Sequence, residues 1–180
     1  KNFKVTITRK HRISGYRYEE SGSLGMLEEY TDEQLGNIAS LAIYSPGNGK
    51  IEFLDNINLT ENANKLTYII DLDENVEISR NNIQVNSNVL TSLNKKARLT
   101  LENLPFRNPR VLRDGVVCYE CNIENYSDGK LVFSVPGFSS YSAEEIPSDN
   151  KYDEGSGDEE YKEGDDNKIS RNDSTGRNEP

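Results

Sequence analysis

The sequence has no tryptophan, one histidine, one methionine and only two cysteines in 180 residues. Each shortage excludes something. His11 lies in a basic stretch with no acid beside it, so a Ser-His-Asp or Cys-His assembly would have to be built on it alone. It reads as a surface histidine. Two cysteines cannot by themselves complete a four-ligand structural zinc site. No run approaches the roughly 18 continuous apolar residues of a membrane-spanning helix. Glycine patterns for a phosphate loop or a dinucleotide-binding turn are missing. Carboxylates are so widely spread that no pair stands out for acid–base work. The chain therefore reads as non-enzymatic, with no cofactor and no metal. It begins at Lys1 with neither an initiator methionine nor a signal peptide, as expected of a piece of something longer.

What is abundant is negative charge, and it is unevenly placed. The whole chain carries a net −10, and Glu144–Pro180 alone holds 13 acids against 5 bases. That segment has few large apolar residues (Ile146, Tyr152, Tyr161 and Ile169), so it lacks the surface to offset the entropy of ordering. It is expected to be a disordered acidic tail. Net acidity argues against a nucleic-acid partner. The basic exception, Lys1–Tyr18, contains "FKVTITR", whose alternation of Phe3, Val5 and Ile7 predicts a strand with a basic solvent face.

Between these ends the pattern is β-rich. "EESGSLGMLEEYTDEQLGN" is a connection with one helical turn, where Thr31 and Gln34 have capping-box spacing and Gly36 stops the helix early. From about Ser40 short runs alternate with turn signals: "LAIYS" before "PGNGK", "KIEFL", "INL", "LTYIIDL", "VEIS", "NNIQVNS", "ARLTLENL", "RVLR", "NIENYS" and "KLVFSV". Asp114–Gly115 and Asp128–Gly129 sit between such runs as hairpin turns. The expected fold is all-β, an antiparallel sandwich-like domain with three parts: an irregular 1–39, a β-domain over 40–145 and a tail over 146–180. An alternative is a short β-solenoid with a hairpin cap. It rests on Ile51/Phe53, Val76/Ile78 and Leu99/Leu101, which recur about every 24 residues.

"DLDENVEISRNN" opens like a calcium loop with Asp71, Asp73 and Asn75, but Val76 stands where glycine belongs and Asn82 where the bidentate acid belongs. It reads as an inter-strand turn. Asn58, Asn125 and Asn172 are glycosylation acceptors by pattern, a number that a chain with 21 asparagines produces by composition. Asn125, just before the Asp128–Gly129 turn, is expected to be exposed. Cys118 and Cys121 are three residues apart in β-type sequence. A β-turn spaces its ends within the Cα separation of a disulfide, which is the favoured reading. Two free thiols are the alternative, and a metal or redox role lacks the surrounding residues it needs.

The run Gly49–Glu145 carries "GKIEFLDNINLT", "DLDENVEISRNNIQVNS", "LTSLNKKARLTLENLPFRNPRVLRDGVVC" and "YSDGKLVFSVPGFSSYSAEE". In these it resembles a β-rich domain of predicted archaeal cell-surface and extracellular proteins. The resemblance implies an exported, disulfide-permissive setting and no catalytic residues. Together these readings make the chain a structural or adhesion module of a cell-surface protein, with other surface proteins or glycans as partners. Two alternatives stay open. One is a carbohydrate-binding module stacking sugars on Tyr16, Tyr18, Tyr30, Tyr44 and Tyr68; the other is an accessory β-domain of a larger extracellular enzyme.

Overall fold

The computed structural model describes residues 12–14, 19–21, 27–62 and 69–147. The expected tail disorder, His11, Asn172, Tyr16, Tyr18, Tyr68 and the "FKVTITR" strand lie outside the described residues. In chain order the elements are β1 (Arg12–Ser14), β2 (Glu19–Ser21), α1 (Asp32–Leu35), β3 (Ala42–Ser45), β4 (Gly49–Phe53), β5 (Ile69–Asp71) and β6 (Val76–Ser79). Then come β7 (Asn82–Val85), β8 (Ala97–Leu101), β9 (Pro109–Arg113), β10 (Val116–Val117), β11 (Asn122–Ser127), β12 (Lys130–Val135) and β13 (Ser140–Glu145).

Two antiparallel sheets hold most of them. One has five strands in the order β10-β9-β13-β7-β6, the other six in the order β11-β12-β8-β4-β3-β2. A small parallel pair, β1 with β5, stands apart. The fold is nearly all β and sandwich-like, and neither large sheet closes into a barrel. Alternation places the core: Ile51 and Phe53 on β4, Leu131, Phe133 and Val135 on β12, and Tyr141 and Ala143 on β13 all point inward. Phe133 of the six-stranded sheet meets Tyr141 of the five-stranded sheet with ring centroids 6.1 Å apart, a tilted contact across the two layers.

Turn chemistry sets the hairpins. Asp114 and Gly115 both take positive φ (52° and 78°), and so do Asp128 and Gly129 (50° and 72°), the backbone a two-residue type I′ turn demands. The strands they join pair in register, Arg113 with Val116 and Ser127 with Lys130. The capping box also forms: the Thr31 hydroxyl accepts from the Gln34 amide at 3.3 Å, and the Gln34 side chain accepts from the Thr31 amide at 2.8 Å. α1 is a single turn, and its Leu35 joins Leu27, Tyr30 and Ile38 in the common core.

The solenoid alternative fails on pairing. β4 and β8, which carry two of the recurring pairs, run antiparallel as neighbours, while β6, with the third, belongs to the other sheet. Stacked coils would need the three in parallel succession. "INL" is also less than a strand: Ile57 makes one bridge to Ile38, and the chain then turns through a 3-10 helix at Leu59–Asn62.

Candidate functional site

β6, β7 and the turns around them enclose an open cleft of about 1090 Å³. Asp73, Glu74, Glu77 and Asp114 line it, with Gln84 and Asn86 between them, and no Lys or Arg is among its described lining residues. The acids arrive from different places. Asp73 and Glu74 come from the β5–β6 turn, where Asp71 Oδ1 accepts the Glu74 amide at 3.0 Å and Asn75 Nδ2 donates to the Asp71 carbonyl at 2.9 Å. The loop thus works as the inter-strand turn its sequence suggests. Glu77 is the outward residue of β6 between inward Val76 and Ile78.

Asp114 comes from the β9–β10 hairpin and is fastened to β13. Its amide donates to the Ser140 carbonyl at 2.9 Å, its carboxylate accepts the Ser140 amide at 3.2 Å, and the Ser139 hydroxyl donates to both carboxylate oxygens. Donation from Ser139, then from the Ser140 amide, with Arg113 nearby, holds the Asp114 carboxyl below the usual carboxylate range. A carboxylate so stabilised is a weak base. The Ser139–Asp114 pair is therefore a lock between hairpin and strand, not an activated nucleophile.

The two cysteines occupy the crossover between the sheets. Cys118 directly follows β10, the edge strand of the five-stranded sheet, and Cys121 directly precedes β11, the edge strand of the six-stranded sheet. Their Cα atoms are 5.4 Å apart and the sulfurs are bonded at 2.03 Å. The Cys118 amide donates to the Val111 carbonyl at 2.9 Å, and Arg113 pairs with Glu120 at 2.8 Å beside the ring. Tyr119 at its tip is 92% exposed. No periodic signal in the sequence singles out this tyrosine, since it lies between the cysteines rather than on a patterned strand.

Other expected residues are placed as follows. Asn58 caps the Leu59–Asn62 turn: its Oδ1 accepts from the Thr60 amide (3.1 Å) and hydroxyl (2.7 Å), and its Nδ2 donates to Glu61 at 2.9 Å. Asn125 is exposed on β11, with Nδ2 donating to the Ser127 hydroxyl at 3.3 Å. Tyr30 is buried in the core and Tyr44 is half-buried on the outward side of β3. Among the described residues no cluster of three His, Cys, Asp or Glu is placed to hold a metal ion, and no helix is long and apolar enough to cross a membrane.

No family model matches this chain, and no curated protein matches it. Among solved structures it is similar to the C-terminal domain of the nuclear pore complex component NUP116 from Candida glabrata, at 20% identity and a TM-score of 0.47, covering 67% of this chain and 90% of that one.

Proposed function

We propose that this chain is a non-enzymatic recognition module, the structural or adhesive part of a cell-surface protein, with the cleft beside β6 and β7 as its contact surface. The observation that carries the reading is the acidity of that cleft, whose described lining includes Glu74, Glu77 and Asp114 and no Lys or Arg. Such a lining favours a partner that presents cationic groups, and an extended protein segment bearing Lys and Arg fits an open cleft of this kind. Preset hairpin turns and the Asp114 lock hold the lining in place, which lowers the ordering cost of binding. The exported setting is supported by the Cys118–Cys121 bond, since reducing compartments keep such pairs as thiols.

Titration of the labelled chain with a Lys/Arg-rich peptide, followed by NMR, tests the recognition part. Saturable shifts are expected at the Glu77, Gln84 and Asn86 amides, and weaker binding is expected in Glu74→Gln/Glu77→Gln. Shifts spread evenly over the surface, or unchanged affinity in the variant, would remove the cleft from the proposal. The setting is tested separately by alkylating the protein from its native compartment: two reactive thiols there would withdraw the cell-surface part.

A further inference from the structure

We infer that the Cys118–Cys121 bond is a redox latch on the sheet crossover, and that its reduction frees the edge strand β11 while the sandwich stays folded. The inference goes beyond the recognition reading and does not depend on it.

The corner has little else to hold it. β10 is two residues long, and its Val116 is 69% exposed. Along β11, Asn122, Ile123, Glu124, Asn125 and Ser127 are all exposed and Tyr126 alone is half-buried. The register to β12 also slips between Ile123 and Asn125, leaving Glu124 outside the ladder. Apolar burial is lighter here than on β4, β8 and β12, limited to the half-buried Tyr126, Cys118 and Cys121 packed against the edge of the core. Besides the ladder to β12 and the Cys118 amide on the Val111 carbonyl, the contacts are polar and peripheral: the Arg98–Glu124 pair at 2.7 Å, the Arg113–Glu120 pair at 2.8 Å, and the Tyr126 hydroxyl on the Phe106 carbonyl. Exposed ion pairs contribute little. The covalent bond cross-links the four-residue turn through which the chain passes from one edge strand to the other.

It is also within reach. Both cysteines are half-buried on a four-residue turn, packed against the edge of the core with part of their surface open to solvent. A thiolate of a small dithiol reductant attacks one sulfur and forms a mixed disulfide. The reductant's second thiolate then displaces the remaining protein thiolate. Two electrons pass to the protein, Cys118 and Cys121 take up two protons, and the reductant leaves as its own disulfide. Opening the ring lets Tyr119 and Glu120 move apart from Arg113, and β11 is then held by its ladder to β12, the Arg98–Glu124 pair and the Tyr126–Phe106 bond.

Hydrogen exchange by mass spectrometry on the full chain tests this, oxidised and after reduction with dithiothreitol, with Cys118→Ser/Cys121→Ser in parallel. Alkylation before digestion counts the thiols. Expected is exchange at least tenfold faster across Val116–Ser127 on reduction, with β4 and β8 amides unchanged and protection restored by reoxidation. The double variant should show the fast pattern with or without reductant. Unchanged exchange at the crossover in fully reduced protein would overturn the latch. So would protection lost throughout both sheets, or two alkylatable thiols in protein that was never reduced.

Discussion

Removing the hydroxyl of Tyr141 offers a sharp probe of how the two sheets are joined. Tyr141 has no exposed surface, stands at the centre of the five-stranded sheet, and contacts Phe133 across the layers. Its hydroxyl donates to the Gly137 carbonyl at 2.6 Å, and the Arg113 guanidinium lies 6.0 Å from the ring centroid. Tyr141→Phe keeps the ring and strands the carbonyl, which should cost about 1 kcal/mol. Tyr141→Ala also removes the inter-sheet contact and opens a cavity, for about 3–5 kcal/mol. In a domain near 150 residues each kcal/mol lowers the thermal midpoint by about 2–4 °C. The phenylalanine variant should therefore melt a few degrees below the wild type at pH 7.

The pH dependence separates hydrogen bond from simple packing. Burial pushes the Tyr141 phenol above its ordinary pKa, with Glu120 and Asp114 adding to the rise and Arg113 opposing it. A group whose folded pKa exceeds its unfolded value of about 10 contributes stability in full below that value. The contribution is lost as pH rises through the folded pKa, by up to about 1.4 kcal/mol per pH unit. Phenylalanine has no proton to lose. Circular-dichroism melts of both proteins between pH 7 and pH 11 should show the wild-type advantage shrinking as pH rises, the other tyrosines cancelling in the difference. A gap that stays constant across that range would refute the reasoning, because the phenol would then ionise as easily folded as unfolded.

Three further changes probe other joints. Gly49→Ala would place a Cβ 2.3 Å from the Thr100 carbonyl oxygen, so β4 and β8 must part. A cost of about 3 kcal/mol is expected in urea unfolding, and an unchanged midpoint would mean that the two strands separate freely. Asp114→Asn weakens the lock on Ser139 and Ser140, and at this exposed site the loss should be about 1 kcal/mol at pH 7. Since the folded pKa is lowered, the stabilisation is present above the unfolded value of about 3.9 and fades as pH falls through the folded one, so the two midpoints should converge in acid. Cys118→Ser/Cys121→Ser opens a ring with a sequence separation of three, whose closure constrains little of the unfolded chain, for about 2 kcal/mol or less. That variant should stay folded by near-ultraviolet dichroism, and global unfolding would show that the corner supports the whole sandwich.

The parts of the fold legible in the sequence are those fixed within a few residues. Asp114–Gly115 and Asp128–Gly129 need positive φ at two successive positions, which Asp-Gly accommodates, so both hairpins could be placed from the sequence. The Thr31–Gln34 box is equally local. Sheet membership is not. β7 pairs with β13, joining Ile83 to Tyr141, and nothing near either residue specifies the other. The spacing of Ile51/Phe53, Val76/Ile78 and Leu99/Leu101 illustrates the limit. Inward pairs recur at a similar interval whether strands stack in parallel coils or fold back antiparallel across two sheets, because spacing along the chain contains no direction.

The same division runs through the site. The cysteine pair was legible because both residues lie in one turn, yet its position as the tie between two sheets depends on which edges β10 and β11 occupy. Asp114 reads in the sequence as a turn residue and nothing more. Only pairing of β9 with β13 brings Ser139 and Ser140 onto its carboxylate, from 25 and 26 residues away. That pairing also carries Asp114 to the rim of the cleft that Asp73, Glu74 and Glu77 reach from β5 and β6. The cleft's charge is thus a product of topology. A chain whose body is close to neutral acquires a surface whose described charged lining is all acidic, because three separate turns and strands deliver acids to one place. Their like charge is tolerated because solvent screens the exposed carboxylates and hydrogen bonds satisfy Asp114.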